Sequence, residues 1–182
     1  MKSTKAESDG YAATVELPYL CFTYGTLKRG QPNHHWISDS PGRTEFVANA
    51  FTEVKYPLVI ASKYNLPFLL DQRGHGHSVA GELYRVDEVT LGHLDVLEDH
   101  PTFYVRRPER VLVADKPSVV VDAWTYFLPR FRPELLRLPL LDNYDTNGAH
   151  GRPYNVRVDT DPSVDTNDYQ NEVLPPPTSE SK

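Results

Sequence analysis

The chain has 182 residues, 39% of them hydrophobic and 11% aromatic, which is enough for one domain with its own core and short of two. A lone cysteine, Cys21, excludes a disulfide-stapled scaffold, and no apolar run approaches the roughly 20 residues that a membrane-crossing helix needs. The net charge of -6 is concentrated at one end: residues 159–182 carry six acids against Lys182, leaving 19 acids and 18 bases elsewhere. A near-neutral body lacks the positive field that phosphate backbones require, so nucleic acid is excluded as a partner and a small or zwitterionic ligand is expected. Residues 1–10 show no secretory pattern, and the expected location is the cytoplasm.

In chain order, residues 1–17 are polar and aperiodic, and residues 159–182 are acidic and run through Pro175, Pro176 and Pro177. Both are expected to be flexible flanks of a single domain at 18–158. Residues 18–24 read as a buried strand entering a turn at Gly25. Residues 44–55 alternate, with Phe46, Ala48, Ala50 and Thr52 on one face, and predict a strand or strand pair. The short runs 56–61 and 66–70, interrupted by Pro57, Asn65 and Pro67, suit edge strands or a hairpin. A Gly-rich turn at 72–76 leads back into a strand at 78–86. At Asp87, placed to cap a first turn, the spacing becomes helical through Val89, Leu94 and Leu97, and one helix should end before Pro101. Residues 103–113 and 119–128 read as a long antiparallel hairpin. Pro129, Pro133 and Pro139 then limit 134–138 to one or two helical turns, ahead of a polar loop at 141–153. Six or seven strands with one main helix favour a mixed α+β, barrel-like domain over a βαβ parallel sheet.

Two segments carry chemistry. The turn through Tyr24, Gly25, Thr26 and Leu27, continuing to Gly30, places successive backbone N–H groups where an anion could lie against them; a plain hairpin turn accounts for the same residues. In the strand at 79–86, period-two alternation puts Glu82 on one face with Ala80, Tyr84 and Val86. If that face is inside, desolvation raises the Glu82 pKa and suits it to general acid–base work. If Val79, Gly81 and Leu83 face the core instead, Glu82 meets water or an arginine. The pairs His34, His35 and His75, His77 lack the Cys or carboxylate company of a metal site, so no metal is expected. Cys21 sits in an apolar strand and reads as a packing residue. Asp142, Tyr144, Asp145, His150 and Tyr154 crowd a loop able to line or cover a site, or simply to order itself.

The stretch Phe22-Thr23-Tyr24-Gly25-Thr26-Leu27-Lys28-Arg29-Gly30-Gln31-Pro32-Asn33-His34 is followed in order by Tyr56-Pro57-Leu58-Val59-Ile60-Ala61, Asn65-Leu66-Pro67-Phe68-Leu69-Leu70, Gly81-Glu82-Leu83-Tyr84, Asp142-Asn143-Tyr144-Asp145 and His150-Gly151-Arg152-Pro153-Tyr154-Asn155. Together these resemble the gamma-glutamyl cyclotransferase-like family over most of residues 19–157. Thr26-Leu27-Lys28 before Gln31-Pro32-Asn33 is closer to its gamma-glutamylamine branch. The resemblance implies a small mixed β-barrel, no cofactor and no metal. It also implies cleavage of gamma-glutamyl amides, chiefly gamma-glutamyl-epsilon-lysine, into 5-oxoproline and a free amine. By the same resemblance Tyr24, Gly25, Thr26 and Leu27 form the substrate loop and Glu82 is the catalytic acid and base.

That chemistry is compatible with the residues, because the substrate's own α-amine is the nucleophile and the protein needs only to orient, deprotonate and stabilise. Two alternatives stand beside it. One is a non-catalytic binding module acting through a protein partner, with the acidic tail as a candidate contact whose partner is unknown. The other is the same reaction on glutathione or gamma-glutamyl amino acids.

Overall fold

The structure is a computed structural model that describes residues 16–156 and 168–176. The strands are β1 (Tyr19–Thr23), β2 (Thr44–Thr52), β3 (Leu58–Ala61), β4 (Leu66–Leu69), β5 (Ala80–Val86), β6 (Val105–Val113) and β7 (Lys116–Phe127). The helices are α1 (His35–Ser38), α2 (Glu88–Leu97) and α3 (Gln170–Val173), with a 3-10 turn at Pro133–Arg137. Five strands close into a barrel in the order β1-β5-β2-β6-β7, while β3 and β4 form a separate hairpin. All barrel neighbours are antiparallel except β1 and β7, which meet in parallel at Cys21 and Trp124. The barrel is therefore mixed, as the family resemblance implies.

Alternation along the strands sorts the apolar residues into two clusters. Phe22, Ala50, Leu83, Val111, Ala123 and Phe127 fill the barrel interior. Cys21, Tyr84 and Val86 project from the outer face, where Leu91 and Leu94 of α2 cover them. Buried charge meets the interior cluster at Glu109, which is 2% exposed. It accepts the Tyr56 hydroxyl at 2.6 Å, Arg107 at 2.8 Å and Arg73 at 3.3 Å. Gly81 is required inside, since a Cβ there would lie 2.4 Å from the Thr23 carbonyl oxygen and 2.5 Å from the Phe22 ring.

Several expectations are corrected in detail. The alternation read through β2 is interrupted by a register shift between Phe46 and Ala48, so Ala48, paired with the interior Leu83, shares a face with the buried Ala50 and Thr52 while Phe46 lies outside. Asp87 caps α2 as expected, accepting the Thr90 N–H at 2.8 Å. The buried stripe of that helix, however, is Thr90, Leu91 and Leu94, and Val89 is 57% exposed. The second hairpin strand starts at Lys116, three residues earlier than read. Its pairing jumps from Leu112 with Val120 to Val113 with Lys116, a bulge that a simple alternation does not reveal.

The expectation of flexible ends falls outside the described residues at 1–15, 159–167 and 177–182. Residues 168–176 do not lie off the domain. The α3 turn buries Val173 completely and Tyr169 almost so, and both join the cluster that contains Leu66, Phe68 and Phe103. The acidic composition hid two apolar anchors spaced four residues apart on one helical face.

Candidate active site

Two concavities flank the segment that leaves β1. Beyond Thr23 the chain turns at Gly25, with Lys28 N–H donating to the Gly25 carbonyl at 3.2 Å and Asn33 N–H to the Thr26 carbonyl at 3.0 Å. The Asn33 amide also donates to the Thr26 hydroxyl at 3.1 Å. Glycine is needed at 25 for close approach: a Cβ would meet Pro67 Cγ at 2.8 Å. Within this clamped turn the N–H groups of Gly25, Thr26 and Leu27 donate to no acceptor among the described residues. They form a row of unused donors of the kind that binds anions.

This turn opens onto a cavity of about 80 Å³, several times the roughly 10–15 Å³ that one water needs. Tyr24, Gly25, Thr26 and Leu27 line it, together with Thr23, Asn33, Leu94, Leu97, Glu98, Tyr104 and Tyr126. Glu98 is the only carboxylate in that lining among the described residues. It stands at the C-cap of α2, half-buried. Burial raises the Tyr24 and Tyr126 phenols well above their ordinary range, and the Glu98 charge pushes both further. Cys21, also in the wall, is pushed up to about 12 by burial and stays a thiol. Thr23 lines the same cavity, and its hydroxyl is buried with no hydrogen-bond partner among the described residues.

The cavity wall is braced from behind. Tyr24 donates its hydroxyl to the Tyr126 carbonyl at 2.9 Å. Tyr126 donates in turn to Asp95 at 2.7 Å, and Arg106 grips the same carboxylate at 2.7 and 3.0 Å. Burial pushes the Asp95 pKa up, but Arg106 and Tyr126 outweigh it and hold the group below its ordinary value.

Glu82 lies elsewhere. It belongs to a second cleft of about 530 Å³, lined also by Lys28, Arg29, Gln31, Asn49 and the 142–145 loop. Both readings of β5 contain part of the result. Val79 and Leu83 do face the interior, yet Glu82, on the opposite face, is only 8% exposed. It accepts the Tyr84 hydroxyl at 2.7 Å, the Arg29 N–H at 2.9 Å and the Arg29 guanidinium at 3.1 Å. The guanidinium lies 3.6 Å over the Phe46 ring. The expected upward shift is overturned: burial does raise the Glu82 pKa, but Tyr84 and the two Arg29 donors outweigh it and hold the carboxyl below its usual value.

The 142–145 loop is tied to the same cleft. Lys28 donates to the Asn143 side chain at 2.6 Å and the Tyr144 carbonyl at 2.7 Å, and Gln31 accepts the Thr146 N–H at 2.8 Å. Burial lowers the Lys28 pKa, with Glu82 and Asp145 opposing. His150 and Tyr154 line neither concavity.

The structure thus unites Tyr24, Gly25, Thr26 and Leu27 with Glu98, a residue the sequence reading missed. One local signal was available. A carboxylate at a helix C-terminus opposes the macrodipole, and an acid kept where local electrostatics disfavour it invites a reason from outside the helix.

In this chain a closed mixed barrel sends its first strand into an amide-lined turn that shares a cavity with Glu98. The family pattern described as gamma-glutamyl cyclotransferase, AIG2-like, matches residues 21–152, and the chain belongs to that family. It is 45% identical over 142 residues to the gamma-glutamylaminecyclotransferase of Rattus norvegicus, an alignment covering 75% of this chain and 95% of the rat protein. Against the human protein of the same name it is 43% identical over 148 residues, covering 76% of this chain and 97% of the other. The crystal structure of an AIG2-like protein from Mus musculus superposes with a TM-score of 0.73 at 44% identity, covering 76% of this chain and 96% of that one.

Proposed function

We propose that this protein is a gamma-glutamylamine cyclotransferase, releasing an amine and 5-oxoproline from gamma-glutamyl amides. The observation that supports this reading best is the sharing of one cavity by a row of unused main-chain donors and one carboxylate, Glu98. Glu98 takes the role that the sequence reading gave to Glu82.

In this reading the donors of Gly25, Thr26 and Leu27 hold the anionic end of the substrate or the oxygen that gains charge. Glu98 removes a proton from the α-ammonium, and the freed amine attacks the γ-carbonyl carbon. The new C–N bond closes a five-membered ring and the carbonyl oxygen becomes an oxyanion. As the oxyanion collapses, the bond to the leaving nitrogen breaks and Glu98 returns the proton to that nitrogen; the ring nitrogen, which carries two hydrogens after the attack, gives its second proton to the released amine, so the lactam is neutral and the amine departs as an ammonium. Confining amine and carbonyl together supplies up to roughly 7–11 kcal/mol in the best intramolecular cases, and one oxyanion donor contributes about 3 kcal/mol. Tyr24 and Cys21 are held protonated by burial, so neither competes as a base at neutral pH.

The substrate for the test is gamma-glutamyl-epsilon-lysine. Free lysine and 5-oxoproline should appear together, and Glu98→Gln should slow their release by about 10² to 10⁴. Absence of product from the unaltered chain overturns the function. Turnover that survives Glu98→Gln but is lost in Glu82→Gln returns the acid–base role to Glu82.

Among the described residues no helix is long and apolar enough to cross a membrane, and we place the enzyme in the cytoplasm. Residues 18–156 together with the docked segment 168–176 are taken as its folded unit.

A further inference from the structure

The cavity wall has a contributor from outside the family-matched span. Tyr169 lines the cavity with the Tyr24–Leu27 turn and Glu98, yet it lies 17 positions beyond residue 152, where the family match ends.

Its placement is built rather than incidental. The Tyr169 ring meets Phe103 edge-on at 5.7 Å, Tyr64 at 6.2 Å and Phe68 at 6.4 Å. Arg132 holds the following turn at three main-chain positions: its N–H donates to the Val173 carbonyl at 2.8 Å, and its guanidinium to Leu174 at 2.9 Å and Asn171 at 2.8 Å. On the other side Lys63 pairs with Asp168, and its N–H donates to Glu172 at 3.0 Å. Val173 plugs the core with no exposure. The acids that give this segment its charge are in part the anchors that dock it.

The lining divides by chemistry. Polar groups stand in it at the Gly25 turn, Asn33 and Glu98, while Leu66, Pro67, Leu97 and the rings of Tyr104 and Tyr169 bring carbon-rich surface. The reaction uses the polar set on the gamma-glutamyl head, which is common to every substrate of the class. The apolar surface is left for the part that varies, the carbon chain on the leaving nitrogen. We infer that Tyr169, delivered by the docked 168–176 segment, is a specificity-determining residue that packs against the alkyl chain of the leaving amine and favours long-chain gamma-glutamyl amides over short ones. The inference rests on the cyclotransferase reading above.

The test compares kcat/KM for gamma-glutamyl butylamide and gamma-glutamyl methylamide in the full chain. Replacing Tyr169 by Ala should lower the butylamide-to-methylamide ratio about tenfold, the scale of losing apolar contact in a selective pocket, whereas Tyr169→Phe should preserve it. A ratio unchanged in Tyr169→Ala, with both substrates declining together or neither declining, overturns the inference and leaves a purely structural segment. Because the readout is a ratio within one protein, partial unfolding of the variant does not mimic the effect. Should the unaltered chain turn over neither amide, the cyclotransferase reading falls, and the inference with it.

Discussion

Tyr84 donates its hydroxyl to the carboxylate of Glu82 at 2.7 Å, two residues away on the same face of β5. The Arg29 N–H closes on the same oxygen at 2.9 Å. This carboxylate is saturated with donors, which suits a group that holds the Gly25 segment to the barrel.

The consequence is a stability that depends on pH. The folded pKa of Glu82 lies below its ordinary value, so the group stabilises the fold above the unfolded carboxylate pKa of about 4.3. That contribution is lost as pH falls through the lower folded value. Glu82→Gln should therefore cost about 1–2 kcal/mol at pH 7, a figure discounted because the Arg29 side chain is 48% exposed. Urea unfolding of both proteins from pH 7 to pH 3 checks this: the two midpoints should converge at the acid end. A constant gap across the range rules it out.

Glu109 poses a larger cost. It is nearly sealed from solvent and accepts from Tyr56, Arg107 and Arg73. Glu109→Ala should destabilise by about 3 kcal/mol, because Arg107 and the Tyr56 hydroxyl each lose a partner in a place that water does not freely reach. Thermal unfolding reads the effect, and a loss under 1 kcal/mol would show that the network contributes little.

Gly25→Ala separates the turn from the fold. The added methyl meets the rigid Pro67 ring at 2.8 Å and must displace the amide row. We expect kcat/KM to fall about 10²- to 10³-fold, as when an oxyanion donor is lost, with a stability cost of about 1–3 kcal/mol from overpacking. Steady-state kinetics beside a melting curve distinguish the two; unimpaired turnover refutes a role for the turn.

Asp95 tests the brace behind the cavity. Asp95→Asn weakens the hold on Arg106 and Tyr126 and should cost about 1.5–3 kcal/mol, the scale of hydrogen bonds to a charged group. The folded pKa of Asp95 is also depressed, so this difference too should shrink as pH falls through that value. Denaturant midpoints at pH 7 and pH 3 provide the check.

Much of this was legible along the chain. The Asp87 cap, the strand entering Gly25 and the β6–β7 hairpin all follow from patterns spanning a few residues. In each case the interaction joins neighbours in sequence or repeats at a fixed period. The bulges in β2 and β7 were not legible, because an inserted residue shifts a register without changing the residue types around it. The docking of 168–176 escaped composition for a related reason: its energy comes from Tyr169 and Val173 meeting an aromatic cluster whose members include Phe68 and Phe103.

By itself, then, the sequence determined which turn carries the unused amides and that carboxylates stand ready to serve it. Only the tertiary structure decided which carboxylate shares a cavity with that turn. Alternation says which face of β5 Glu82 occupies, but not that Arg29 and Tyr84 claim it there. Helical spacing ends α2 near Glu98, but not that barrel closure brings that end to the Gly25 turn. A side chain's direction is a local property of its element, whereas the group it meets depends on how distant elements pack, and catalysis depends on the meeting.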